Sequence, residues 1–137
     1  DGCIVPDLPM GEYEEFYAPV FEQYGLSNIF LITPQTAEQR IRKIDSLSNG
    51  FIYLLSSSAT TGKHLQVSEG TEHYFARIAA LNLNNPTVIG FGISTKETFD
   101  KACSYANGAI VGSAFVKCLD SSDLSGSIRK FMSGFKS

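Results

Sequence analysis

Five short apolar runs recur along the chain, each followed by a stretch with helical spacing. The runs are Cys3 to Val5, Asn28 to Thr33, Phe51 to Ser56, Thr87 to Phe91 and Ala109 to Val111. Near-continuous apolar runs of this length suit strands buried on both faces, and their alternation with helices suits a parallel sheet. The intervening segments read as amphipathic helices. Glu12 to Tyr24 carries Phe16, Val20 and Tyr24 as its expected buried stripe, with Pro19 expected to kink or restart it. Thr36 and Gln39 are spaced as a capping box ahead of Ala37, Ile41 and Ile44. A further helix is predicted from about Thr71 to Leu81. Ser94 and Glu97 form a second capping-box pattern before Phe99, Ala102 and Ala106, and Asn107-Gly108 ends that helix. Leu124, Ile128, Phe131 and Phe135 mark a last one. The fold class is therefore α/β with about five βα units. Two architectures fit: an open five-stranded sheet, or part of a (β/α)8 TIM barrel, which takes roughly 250 residues. Parallel order alone does not decide between them.

Hydrophobic residues make up 43% of the chain and charged ones 18%, which excludes a disordered segment and allows a real core. The net charge of -3 gives no electrostatic footprint for nucleic acid or an anionic membrane. No apolar run approaches the roughly 18 residues that cross a bilayer. Cys3, Cys103 and Cys118 lie beside apolar neighbours and form no CxxC pair. They read as buried, reduced thiols of a cytoplasmic protein, with no disulfide and no metal. His64 and His73 have no partner pattern and read as surface residues. No Ser/His/Asp set, HExxH or P-loop is present. The chain opens at Asp1 inside what reads as a strand. The expectation is that earlier units precede it, and that residues 1–137 are the C-terminal part of a single domain.

The last three strands are each followed by a glycine-bearing turn. These are Ser58 to Gly62, Gly90 to Ser94, and Gly112-Ser113-Ala114 with a short helical run through Cys118. The polar stretch Ser57 to Gly70 is too long for a plain connector. Glycine lets backbone approach a ligand, and a helix start offers free N–H donors to an anion. In (β/α)8 barrels phosphate often sits at the loops after the last two strands and a short extra helix. Each turn alone also reads as an ordinary strand end; their order and spacing point together to phosphate. Asp7, between Pro6 and Pro9, ends the first strand and reads either as functional or as an Asx-type turn cap. Tyr53 points inward or outward by strand alternation.

The runs Val5 to Pro9 (VPDLP), Tyr53 to Gly62 (YLLS, then Ser58, Thr61 and Gly62), Gly90 to Ser94 (GFGIS) and Gly112 to Ala114 (GSA) resemble, in that order, those of tryptophan synthase alpha subunits. The resemblance covers the family from its fourth strand to its end. It implies a (β/α)8 lyase that cleaves indole-3-glycerol phosphate to indole and glyceraldehyde 3-phosphate. It also implies a partner beta subunit that carries pyridoxal phosphate, and no cofactor here. Gly62, Gly92, Ile93, Gly112 and Ser113 would line the phosphate site. Phe91 would lie near the ring side of the substrate and Tyr53 at the centre of the active site. Asp7 and Pro9 would belong to the loop facing the partner.

Two departures carry weight. Ser57 and Ala59 stand where the family usually has Arg and Gly in the loop that closes over substrate. The family's catalytic Glu and Asp belong to its upstream half, so no catalytic residue is assigned here, and the chain alone is expected to be inactive. A second reading is a non-catalytic phosphate-binding half-barrel or interaction module. Physics adds that five units leave open strand edges, which favour self-association or pairing with the missing half.

Overall fold

Parallel pairing in strict chain order organises the molecule. The structure, a computed structural model, describes residues 1–56, 69–90 and 92–135. Its strands are β1 (Gly2–Cys3), β2 (Ser27–Asn28), β3 (Leu31–Ile32), β4 (Ile52–Leu55), β5 (Thr87–Gly90) and β6 (Gly108–Ala109). Every pairing is parallel. The expected second strand is one extended run used from both sides: β2 pairs with β1, and β3 pairs with β4. The Ile29 N–H donates to Cys3 O at 2.9 Å, and the Tyr53 N–H donates to Phe30 O at 2.9 Å, so the ladders join. The order β1, β2/β3, β4, β5, β6 has no reversal. A doubly wound sheet reverses its order at a switch point, whereas a barrel does not.

Side-chain alternation divides the sheet into two faces. Phe30, Ile32, Ile52, Leu54 and Ile89 face the helices and join one buried cluster with Ile41, Ile44, Tyr74, Phe75, Ile78 and Ala102. Ile29 and Tyr53, also buried, lie on the opposite face. The helices follow the strands. They are α1 (Met10–Glu12) and α2 (Ala18–Gln23), separated by a π-helical turn at Tyr13–Tyr17, then α3 (Glu38–Leu47), α4 (Glu69–Ala79), α5 (Lys96–Cys103), α6 (Ser113–Cys118) and α7 (Leu124–Ser133).

The π turn answers the expectation for Pro19. Proline cannot donate to the preceding turn, so the helix widens before it and Pro19 falls in the first turn of α2. The extra residue rotates the helix. Phe16, Val20 and Tyr24, expected to be buried, are 59%, 46% and 68% exposed. Tyr13 is buried instead, edge-on to Phe21 and Phe30 at 5.7 and 5.0 Å.

Several local expectations shift by a residue or more. Thr36 does not cap α3. Ala37 occupies the cap and is exposed, while Thr36 Oγ1 accepts from the Thr33 N–H at 3.0 Å and ties the loop to its strand. The capping box of α5 is Thr95 with Thr98, not Ser94 with Glu97, because the Thr98 hydroxyl also accepts from the Ser94 N–H. Helix α5 ends at Cys103, before Asn107-Gly108; the Asn107 side chain instead accepts from the Thr87 N–H at 2.9 Å. Leu124 is exposed rather than buried. All three cysteines are free thiols, but Cys3 is exposed and the other two are half-buried, because β1 is an edge strand and α5 and α6 are outer helices.

Asp45 is the buried charge among the described residues. Its carboxylate accepts from the backbone and side-chain amides of both Asn84 and Asn85 at 2.9–3.1 Å. These bonds lock α3 to the turn before β5. Burial by itself raises the Asp45 pKa, yet the four bonds outweigh it and hold the carboxyl below its usual range. Replacing Asp45→Ala leaves buried amides unpaired and should cost about 2–3 kcal/mol in urea unfolding at pH 7. The folded-state pKa is depressed, so this stabilisation is complete above the unfolded value of about 4 and fades as pH falls through the folded value. The stability gap between wild type and Asp45→Asn should narrow over that acid window; a constant gap would contradict the assignment.

Candidate functional site

The C-terminal ends of the strands carry the loops of interest. Tyr53 projects from the middle of β4 onto the interior face and is 8% exposed. Burial pushes its phenol pKa up, so it remains a neutral hydroxyl near pH 7. Across the ladder, Leu55 pairs with Gly90. A Cβ at Gly90 would fall 1.9 Å from the Tyr53 hydroxyl oxygen and 2.1 Å from Cζ. Gly90 is therefore glycine because the Tyr53 ring lies over it.

Beyond Gly90 the chain turns at Gly92, whose φ of 78° is a left-handed conformation that favours glycine. The Ile93 side chain points into the helix-side core, so only its backbone is available to a ligand at this turn. Thr95 then caps α5. The N–H groups of Ser94 and Thr95 both donate to Thr98 Oγ1, at 3.2 and 3.0 Å. An anion here has to be met upstream of them, by the backbone at Gly92 and Ile93.

The neighbouring strand supplies a second element. Val88 pairs with Gly108 and Ile89 with Ala109, and the Ile110 N–H donates to Ile89 O at 2.8 Å. Gly92 and Gly112 each lie three residues beyond the last paired residues, Ile89 and Ala109. Gly112 is the N-cap of α6, and a Cβ there would meet nothing within 4 Å. Ser113 is exposed and opens α6, where the first-turn N–H groups lack helical partners. Gly92 and Ile93 thus follow β5, and Gly112 and Ser113 follow β6, at the C-terminal ends of two adjacent strands, with Tyr53 on the interior face of β4. Gly62 and Phe91 lie outside the described residues, as do Ser57, Ala59 and His64.

Asp7 and Pro9 sit on the far side of the same end. Asp7 is exposed at φ 57°, and its carboxylate caps no turn among the described residues. A cavity of about 660 Å³ opens between this loop and the Thr33–Thr36 loop, with Arg40 at its lining. His73 is exposed on α4. No His/Cys/Asp/Glu group suited to a metal occurs among the described residues, and no helix there is long and apolar enough to cross a membrane.

Sequence reasoning missed the struts at this end of the sheet. The Tyr74 hydroxyl donates to Ile32 O at 3.0 Å, and Arg77 donates to Pro34 O and Thr36 O at 3.1 and 3.3 Å. Both side chains come from α4; Tyr74 holds the end of β3 and Arg77 the loop after it. Their spacing of three along a helix was visible, but their targets depend on how α4 packs.

The model of the family described as "Tryptophan synthase alpha chain" matches residues 1–132. The chain belongs to this family. It is 56% identical over 132 residues to the tryptophan synthase alpha chain of Flavobacterium johnsoniae, covering 96% of this chain and 52% of that protein. It is 50% identical over 120 residues to that of Bacteroides thetaiotaomicron, covering 88% and 47%. Among solved structures, the alpha subunit from Pyrococcus furiosus superposes with a TM-score of 0.78 at 30% identity, covering 98% of this chain and 54% of that one. The Campylobacter jejuni alpha subunit gives 0.77 at 28%, covering 98% and 53%. The chain thus spans about half the length of the relatives it matches, and its sheet is part of a (β/α)8 barrel.

The Tyr53–Gly90 contact is directly testable. Gly90→Ala should destabilise by about 1–3 kcal/mol through overpacking. In a Tyr53→Ala background the same change should cost much less, giving a coupling energy above about 0.5 kcal/mol in a double-mutant cycle. Additive losses would show that the two residues do not meet.

Proposed function

We propose that residues 1–137 are the C-terminal part of a single barrel domain, and that the complete protein is an alpha subunit of tryptophan synthase. Its reaction is aldol cleavage of indole-3-glycerol phosphate to indole and glyceraldehyde 3-phosphate. The observation that carries this reading is the pair of turns at Gly92 and Gly112, which follow the adjacent strands β5 and β6 and each lead into a helix, in a chain of this family. Backbone donors at Gly92, Ile93 and Ser113 bind the phosphate of the substrate, helped by the partial positive charge of the α6 N-terminus. Tyr53 shapes the interior where the glycerol chain and ring meet; for Gly62 and Phe91 the family resemblance alone implies roles, at the phosphate and on the ring side.

Cleavage breaks the bond between the indole ring carbon and the glycerol chain. A proton must reach the ring carbon, and a base must take the proton of the adjacent hydroxyl. No residue of this chain is assigned either role; the family resemblance puts a Glu and an Asp for them in the upstream half. The chain therefore binds phosphate but does not turn over substrate alone. Asp7 and Pro9 face a tryptophan synthase beta subunit, which carries pyridoxal phosphate, while the alpha chain needs no cofactor. Solved relatives include an α2β2 complex from Pyrococcus furiosus. The cytoplasm is the proposed location.

Ser57 and Ala59 favour a second reading, a phosphate-binding module without catalysis. Joining the chain to an upstream alpha-chain half and measuring indole release separates the two. Indole production supports the lyase. Phosphate binding with no indole, with or without beta subunit, supports the module. Phosphate binding itself is tested by Gly112→Asp, which has space for its Cβ but sets a carboxylate at the start of α6. Glycerol phosphate affinity of the completed barrel should fall at least about tenfold while the circular dichroism spectrum is unchanged. Unaltered affinity would remove Gly112 from the site.

A further inference from the structure

Among the described residues, Asn28 Oδ1 is the fully buried side-chain oxygen or nitrogen that has no hydrogen-bond partner. Asn28 is 2% exposed and lies, by alternation, on the helix side of the sheet with Phe30 and Ile32. An orphaned polar group in such surroundings is costly and calls for a physical cause. Asn28 borders the cavity of about 660 Å³ between the loop after β1 and the loop after β3. Both walls belong to neighbouring βα units joined by the β1–β2 ladder.

Ala37, Arg40 and Ile44 line this cavity from α3 at spacings of three and four, so one face of that helix looks into it. The cations of α3 differ in their partners. Arg42 pairs with Glu38 and Lys43 with Glu14, while Arg40 is exposed and has no ion pair among the described residues. Ala37 caps α3 without a side-chain hydrogen bond, so the first-turn N–H groups beside Arg40 have no side-chain cap. Between Arg40 and Asn28 the walls are apolar, formed by Leu8, Met10, Phe30 and Ile44. The wall after β3 is braced. Tyr74 holds Ile32 O, Arg77 holds Pro34 O and Thr36 O, and the Thr33 and Thr36 hydroxyls pair at 3.1 Å. A wall fixed in this way loses little freedom when a ligand settles on it.

We infer that this cavity is a binding site of its own, for a small organic monocarboxylate with an apolar body and a hydroxyl at its far end. The carboxylate lies at the start of α3, where the Arg40 guanidinium and the uncapped N–H groups donate to it. The apolar body fills the space beside Met10, Phe30 and Ile44, and the volume suits a small molecule. The hydroxyl meets the Asn28 carboxamide; a half-turn of that group exchanges Oδ1 and Nδ2, so it can accept or donate. Asp7 stands in the same lining with no ion pair among the described residues, so its charge favours a single carboxylate over a doubly charged phosphate.

Isothermal titration calorimetry of the complete protein with para-hydroxyphenylacetate tests this. One molecule should bind per chain, and inorganic phosphate should not displace it. Arg40→Gln should weaken binding at least about tenfold, as should replacing the acid by its neutral amide, and the two losses should not add. Asn28→Leu should weaken para-hydroxyphenylacetate at least about threefold while leaving phenylacetate unchanged. Ala37→Phe, at an exposed cap, should block both acids. Circular dichroism checks that each variant folds. No binding at millimolar acid, binding indifferent to Arg40→Gln, or displacement by glycerol phosphate would overturn the inference. So would a loss of beta-subunit affinity in Arg40→Gln with neither acid bound, which would make the cavity a seat for a partner's side chain. None of those results bears on the lyase proposal, which is read from indole release by the completed barrel.

Discussion

The strand β4 is the constraint on which the rest depends. It hydrogen-bonds β3 on one side and β5 on the other, and Ile52, Tyr53 and Leu54 are all buried. A strand closed on both edges and both faces has no freedom to slip, since a one-residue shift would exchange its two faces. Its register then sets those of its neighbours. Leu31 meets Tyr53, Tyr53 meets Val88, and Val88 meets Gly108. The turns at Gly92 and Gly112 leave the ends of the two strands that this ladder aligns.

Packing on the two faces has different jobs. The helix side is a continuous apolar cluster and accounts for stability. The interior face holds Tyr53, whose ring occupies the space that a side chain at residue 90 would take. Glycine at that position thus serves the aromatic residue next door, while Gly92 serves the turn through its positive φ and Gly112 leaves its surroundings open. Three glycines at one end of the sheet have three separate physical causes. The opposite end is held by Asp45, whose four hydrogen bonds make a buried charge tolerable by satisfying it.

The elements themselves were readable because they rest on local pattern. The apolar runs, the short helix after Gly112 and the break at Pro19 all appear where the sequence places them, within a few residues. What failed were predictions that needed the phase of a helix. The stripe Phe16, Val20 and Tyr24 has ideal spacing for an uninterrupted helix, and one π turn sends it to solvent. Likewise, Thr36 and Ser94 have cap-like spacing, but the Thr36 hydroxyl turns back to the Thr33 N–H, and Thr95 with Thr98 caps α5.

Sequence alone determined the class of the fold and the order of its parts, because strand length, helix spacing and turn glycines act over a few residues. It also pointed to a candidate site by the combination of GFGIS and GSA after successive strands. Tertiary structure decided which residues meet: Tyr53 with Gly90, Asp45 with Asn84 and Asn85, Arg77 with the loop after β3. The hydrogen bonds among them join residues 39 to 43 positions apart. Their existence depends on register and helix phase, quantities that arise only when the layers pack against each other.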